Sequence, residues 1–200
     1  IISVSAAVGI GVLGPQIIAM LFPKASDGGI LLTVGAVSII FLALCQTATG
    51  ILQGIGHIRV PVVGALLGAV MKVILNAILI PIPALNIIGA VLSTTGCYVV
   101  ASIFDVYMLS RITKVRFDFK RILLKPILGS IVMGIAALGV YFGLYHFVPS
   151  NTLCTLVAIA LAIVVYGVIM LIIGGIQEED LQSIPMGGRL IRLSKKLHLM

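Results

Sequence analysis

The sequence predicts an all-α, polytopic membrane protein with six transmembrane helices. Three observations carry that prediction. First, 60% of the 200 residues are hydrophobic and only 10% are charged, whereas a soluble domain carries about 25% charged residues. Second, the apolar residues fall in long uninterrupted stretches, with a mean hydropathy of +1.28 over the chain. Third, no run alternates apolar and polar residues as a membrane barrel requires.

Crossing the hydrocarbon core takes about 20 mostly apolar residues in a helix. On that rule the spans read Ile1–Phe22, Gly28–Gln53, Val60–Ile80, Ile87–Leu109, Lys125–Phe147 and Thr152–Ile176. Clusters of turn-forming residues separate them: Pro23 to Gly28, Gly54 to His57, Pro81-Ile82-Pro83 and Pro149-Ser150-Asn151. The first span contains Pro15, which implies a kink. Small-residue spacings at Gly50/Gly54, Gly64/Gly68 and Gly139/Gly143 are of the kind that lets membrane helices approach closely. Ile1 lies inside an apolar run, with no basic leader or cleavage site before it, so the expectation is a C-terminal piece of a longer chain.

The net charge of +7 is not a nucleic-acid signal, because the basic residues cluster just outside the apolar spans. With alternating spans, eleven of the thirteen Lys and Arg residues fall on one side: Arg59, the six between Arg111 and Lys125, and Arg189, Arg192, Lys195 and Lys196. The positive-inside rule makes that side cytoplasmic, so both ends of the chain are expected to face the cytoplasm. The clusters Arg111–Lys125 and Arg189–Lys196 are expected to contact anionic lipids. Between Arg116 and Leu124, apolar and basic residues mix as in a short helix lying along the headgroups.

No signature of an enzyme is present: no phosphate-binding loop, HExxH, GxSxG or paired cysteine ligands. No metal or cofactor is implied. Cys45, Cys97 and Cys154 read as small buried side chains in apolar stretches, and His57, His146 and His198 as interfacial polar residues.

Lys72 and Asp105 are the informative positions, because an ionised side chain within hydrocarbon is costly and faces a cavity or a partner. Lys72 lies twelve residues into the third span, which is about 18 Å deep, and Asn76 follows one turn later on the same face. Asp105 is the weaker candidate. It lies about five residues, roughly 8 Å, from the end of the fourth span, within reach of the interface or of Arg111.

The segments Ile51-Leu52-Gln53-Gly54-Ile55-Gly56-His57-Ile58-Arg59-Val60-Pro61, Gly68–Asn76 and Ile80–Ala90 carry a resemblance. The chain resembles the stage V sporulation protein B group of polysaccharide-biosynthesis membrane proteins. That group belongs with the lipid II flippases in the multidrug/oligosaccharidyl-lipid/polysaccharide exporter superfamily. Leu21-Phe22-Pro23 and the closing Glu179-Asp180-Leu181…Ile184-Pro185 fit it as well.

The resemblance implies the last six helices of a fourteen-helix fold. Residues 1–110 would be four helices of the C-terminal lobe and 111–124 a basic cytoplasmic linker. Residues 125–176 would be two additional helices, and 177–200 a basic cytoplasmic tail. It implies alternating-access export of a polyprenyl-linked saccharide or peptidoglycan precursor across a bacterial plasma membrane, together with the missing N-terminal lobe. Lys72, Asn76 and Thr94 would line the substrate cavity. The same residues match the polar positions that hold sodium in some lipid II flippases, but an ammonium at Lys72 departs from that pattern. A multidrug/toxin antiporter and a non-transporting scaffold for envelope or spore-cortex assembly remain as alternative readings.

The charge asymmetry makes a direct prediction. Single cysteines at Ser26 and Ser150, in a background without native cysteines, should react with an impermeant maleimide from outside intact cells. Labelling of either only from the cytoplasmic side reverses the orientation.

Overall fold

The structure is a computed structural model that describes residues 2–24, 28–115, 119–147 and 150–173. Six helices occupy them: α1 (Ile2–Leu21), α2 (Gly29–Gly54), α3 (Arg59–Leu79), α4 (Asn86–Thr113), α5 (Phe119–Phe147) and α6 (Asn151–Ile172). Among the described residues there is no strand. All six are long and apolar enough to cross a membrane. The shortest has 20 residues, about 30 Å at 1.5 Å per residue, which matches the hydrocarbon thickness. The chain is a multi-pass membrane protein.

The packing divides it into two compact units. The first, Ile2–Asp118, contains α1 to α4; the second runs from Phe119 and contains α5 and α6. In the first unit α1 runs as one helix through Pro15, and the proline packs against Gly29 at the start of α2. The turn predicted between α2 and α3 has a definite construction. Gly56 has φ +82°, a conformation that strains any residue with a Cβ. Its N–H donates to Gln53 O at 3.0 Å, and the N–H of His57 donates to Leu52 O at 2.8 Å. Together these close the end of α2 as a Schellman motif. Pro61 then falls in the first turn of α3, where a missing N–H costs no helical hydrogen bond. The Gln53-Gly54…Gly56…Pro61 pattern is therefore a stop-and-restart device between two spans.

Helices α3 and α4 run antiparallel and meet along a seam of small residues. Pro61, Gly64 and Gly68 are the buried residues of α3. A methyl group at Gly64 would collide with the Asp105 carboxylate, and one at Gly68 would lie 2.8 Å from the Cys97 carbonyl oxygen. The other two spacings behave differently. Among the described residues nothing lies within 4 Å of a Cβ placed at Gly50, Gly54, Gly139 or Gly143. Spacing alone does not separate the three, because it carries no information about which helix face has a neighbour.

In the second unit the buried face of α5 runs through Ser130, Met133, Ala137 and Tyr141. That of α6 runs through Cys154, Thr155, Ala158, Ala162, Tyr166 and Met170. Both repeat every three or four residues, as packed helices must. Near the turn, the hydroxyls of Tyr141 and Thr155 both donate to Asn151 Oδ1, at 2.9 and 3.3 Å.

Two expected boundaries are corrected. α4 continues past Leu109 to Thr113 and ends with Lys114 in the left-handed region at φ 56°. The stretch expected to lie along the headgroups up to Leu124 belongs from Phe119 onward to α5, which continues through Pro126. Helical hydrogen bonding persists through mixed apolar and basic sequence, so composition did not mark the start. Residues 116–118 and the basic tail after 173, with Arg189–Lys196 and His198, lie outside the described residues.

The seam generates a contrast. Gly64→Leu and Gly68→Leu should each destabilise the detergent-solubilised protein by at least the 1–3 kcal/mol typical of overpacking, seen as a lower midpoint in a thermal aggregation assay. Gly50→Leu and Gly143→Leu should stay close to wild type.

Candidate functional site

The polar centre of the four-helix unit is built around Asp105. Its side chain is 1% exposed, although it lies on a helix whose other residues include the outward-facing Ile103 and Tyr107. α2 supplies two donors one turn apart, on the same face. Thr49 Oγ1 donates to Asp105 Oδ2 at 3.2 Å, and Cys45 Sγ donates to the same oxygen at 3.6 Å. α3 contributes Gly64, whose missing side chain makes room for the carboxylate. Asp105 Oδ1 is buried and has no hydrogen-bond partner. Towards the α2–α3 turn the site is closed by apolar packing of Ala48, Leu52 and Leu109, flanked by Val60, Val106 and Ile112.

This arrangement corrects the expectation for Asp105. The residue is eight positions from the end of α4, about 12 Å along the axis, and it turns inward to α2 and α3. Arg111 is exposed, and among the described residues no cation pairs with the carboxylate. Cys45 is likewise more than a space-filling side chain. The signal that would have found it is the Cys45-x-x-x-Thr49 pair, two donors at helical spacing in an otherwise apolar stretch.

The other three candidates are not brought into one constellation. Lys72 is half-buried on α3. It follows Gly64 by eight residues, about 12 Å along the helix, so it does not neutralise Asp105. Asn76, one turn on, holds its Oδ1 buried without a hydrogen-bond partner. The Thr94 hydroxyl donates to the Ala90 carbonyl oxygen at 3.0 Å, a bond back to its own helix. Among the described residues no hydrogen bond or ion pair links these three. What they share is placement on two adjacent antiparallel helices.

An open groove of about 370 Å³ lies at one end of α1 and α2, lined by Ile18, Phe22, Gly28, Leu31 and Leu32. Among the described residues its lining offers no side chain able to orient a polar group. Among the described residues no three metal-ligating side chains gather.

Comparison with known proteins places the chain beside a membrane protein. It is 31% identical over 183 residues to a Bacillus subtilis (strain 168) protein named "Uncharacterized membrane protein YabM"; the match covers 88% of this chain. The chain spans about a third of that protein's length, 34%. No family model matches the sequence, and no solved structure matches it.

The Asp105 cluster makes its own prediction. Thr49→Val keeps the shape but removes one of the two donors to Oδ2. It should lower stability by about 0.5–2 kcal/mol, the range for hydrogen bonds between membrane helices, measured by unfolding in mixed micelles. Thr47→Val should have a smaller effect, because the Thr47 hydroxyl bonds only to the Ala43 carbonyl oxygen of its own helix.

Proposed function

We propose that the chain is the C-terminal part of a flippase that moves a polyprenyl-linked saccharide or peptidoglycan precursor outward across a bacterial plasma membrane. In this reading it works by alternating access with an N-terminal lobe, and both of its ends face the cytoplasm. The observation that carries the reading is the division between Asp118 and Phe119 into a four-helix and a two-helix unit. The resemblance to the stage V sporulation protein B group implies four lobe helices followed by an extra pair. The match to a third of a longer membrane protein supports a partial chain, and the basic clusters support cytoplasmic ends and contacts with anionic lipids.

In this reading Lys72 supplies the charge that a pyrophosphate-bearing substrate needs. Among the described residues it has no carboxylate partner. A cation held in a low-dielectric space sets up a strong local field without a bound ion. Asn76 and Thr94 add polar surface on the same pair of helices. This assignment treats α3 as cavity-lining, with its exposed apolar residues such as Leu66 and Val73 facing lipid or the absent lobe.

The test is transport by the full-length protein in liposomes, using a fluorescent polyprenyl-pyrophosphate saccharide. Lys72→Gln should abolish flipping while the amount of folded protein stays normal, and Lys72→Arg should retain part of it, being cationic but differently shaped. Wild-type rates in Lys72→Gln, or loss only through loss of protein, would remove Lys72 from substrate contact. No flipping by the wild type would remove the flippase reading.

A further inference from the structure

We propose that Asp105 is a proton-binding site: its carboxyl group is protonated in the packing seen here and exchanges its proton only when α3 moves away from α4. The inference stands apart from the nature of the transported substrate. It starts from a group 1% exposed whose Oδ2 accepts from Thr49 and Cys45 and whose Oδ1 has no hydrogen-bond partner. An ionised carboxylate enclosed in this way needs a compensating charge, and among the described residues none is supplied. The α2 groups facing it are a neutral hydroxyl and a thiol. The α3 group is Gly64, with Arg59 five residues before it and Lys72 eight after. On α4 itself, Cys97 lies two turns away and Arg111 is exposed. A proton on Oδ1 resolves the imbalance locally.

The geometry also separates a proton from a metal cation. A hard cation collects about six oxygen ligands. Among the described residues the side-chain oxygens that meet here are those of the carboxylate and of Thr49, and the space beside Oδ1 is too small for a methyl group on Gly64. A proton needs neither the ligands nor the room. Because the Gly64 backbone covers Oδ1, water reaches the carboxyl only after α3 and α4 part. The proton comes from that water and returns to it, and no other bond changes. Protonation state and α3–α4 separation are thereby coupled: the closed seam holds the neutral acid, and the ionised form favours the open one.

Infrared spectroscopy of the protein in lipid nanodiscs tests this directly. At neutral pH the difference between wild type and Asp105→Asn should contain the C=O stretch of a protonated carboxylic acid, which moves to lower frequency in D2O. Cys45→Ala and Thr49→Val, each removing a donor to Oδ2, should shift that band without abolishing it. Replacing sodium by choline should leave it in place. Gly64→Ala, which props the seam open, should speed the D2O-induced shift relative to wild type. A difference containing only ionised-carboxylate bands, or a band that moves with sodium, overturns the assignment. An exchange rate unchanged in Gly64→Ala overturns the coupling to the seam. If Asp105→Asn fails to accumulate, the Cys45→Ala and Thr49→Val spectra decide, and an unshifted band in both counts against the proposal.

Discussion

A carboxyl group placed within hydrocarbon must be enclosed by protein, and the packing of α2, α3 and α4 follows from enclosing Asp105. Lipid offers it no hydrogen bonds, so donors come from a neighbouring helix, as Cys45 and Thr49. Enclosure requires the third helix to come closer than ordinary side chains permit, which is why Gly64 faces the carboxylate and Gly68 faces Cys97. Membrane helices gain little from a hydrophobic effect between them and associate by close packing and polar contacts. Here the two operate at one place.

The same constraint orders the surrounding parts. The Schellman turn at Gly56 lets α3 double back immediately after α2, and α3, starting at Arg59, brings Gly64 level with Asp105. Apolar residues of all three helices, including Leu52 and Leu109, seal the site towards that turn. Among the described residues the second unit has no comparable carboxyl centre. Its helices meet through Ala, Met and Tyr side chains, with hydroxyls gathered on Asn151 near the turn. Among the described residues the four-helix unit buries a carboxyl group and the helix pair buries none. In the proposed flippase the first unit would carry the cavity residues and the conformational change.

Much of the candidate site was legible before the fold, but its weighting was not. Lys72 and Asp105 stand out in any reading of charge within apolar spans. Depth along the sequence favoured Lys72 and made Asp105 a near-interface residue. That estimate assumed the fourth span ends at Leu109 and that Asp105 extends outward. α4 runs to Thr113, and the side chain faces inward. Depth is a one-dimensional quantity, whereas burial depends on which helix covers which face. The Cys45-x-x-x-Thr49 spacing shows two donors on one face but not what they meet, since sixty and fifty-six positions separate them from Asp105.

Six apolar stretches of membrane-spanning length, the turns between them and the absence of strand periodicity were determined by the sequence alone. Each span satisfies its own backbone hydrogen bonds, so its existence and position depend on local composition. The tertiary structure decided the rest. It selected Gly64 and Gly68 from three similar spacings, carried α5 back to Phe119 through a segment that reads as interfacial, and turned a marginal aspartate into a carboxyl group enclosed by three helices. Those outcomes depend on the contacts between helix faces. Apolar spans leave such contacts undetermined, because a leucine facing lipid and a leucine facing another helix look the same in the sequence.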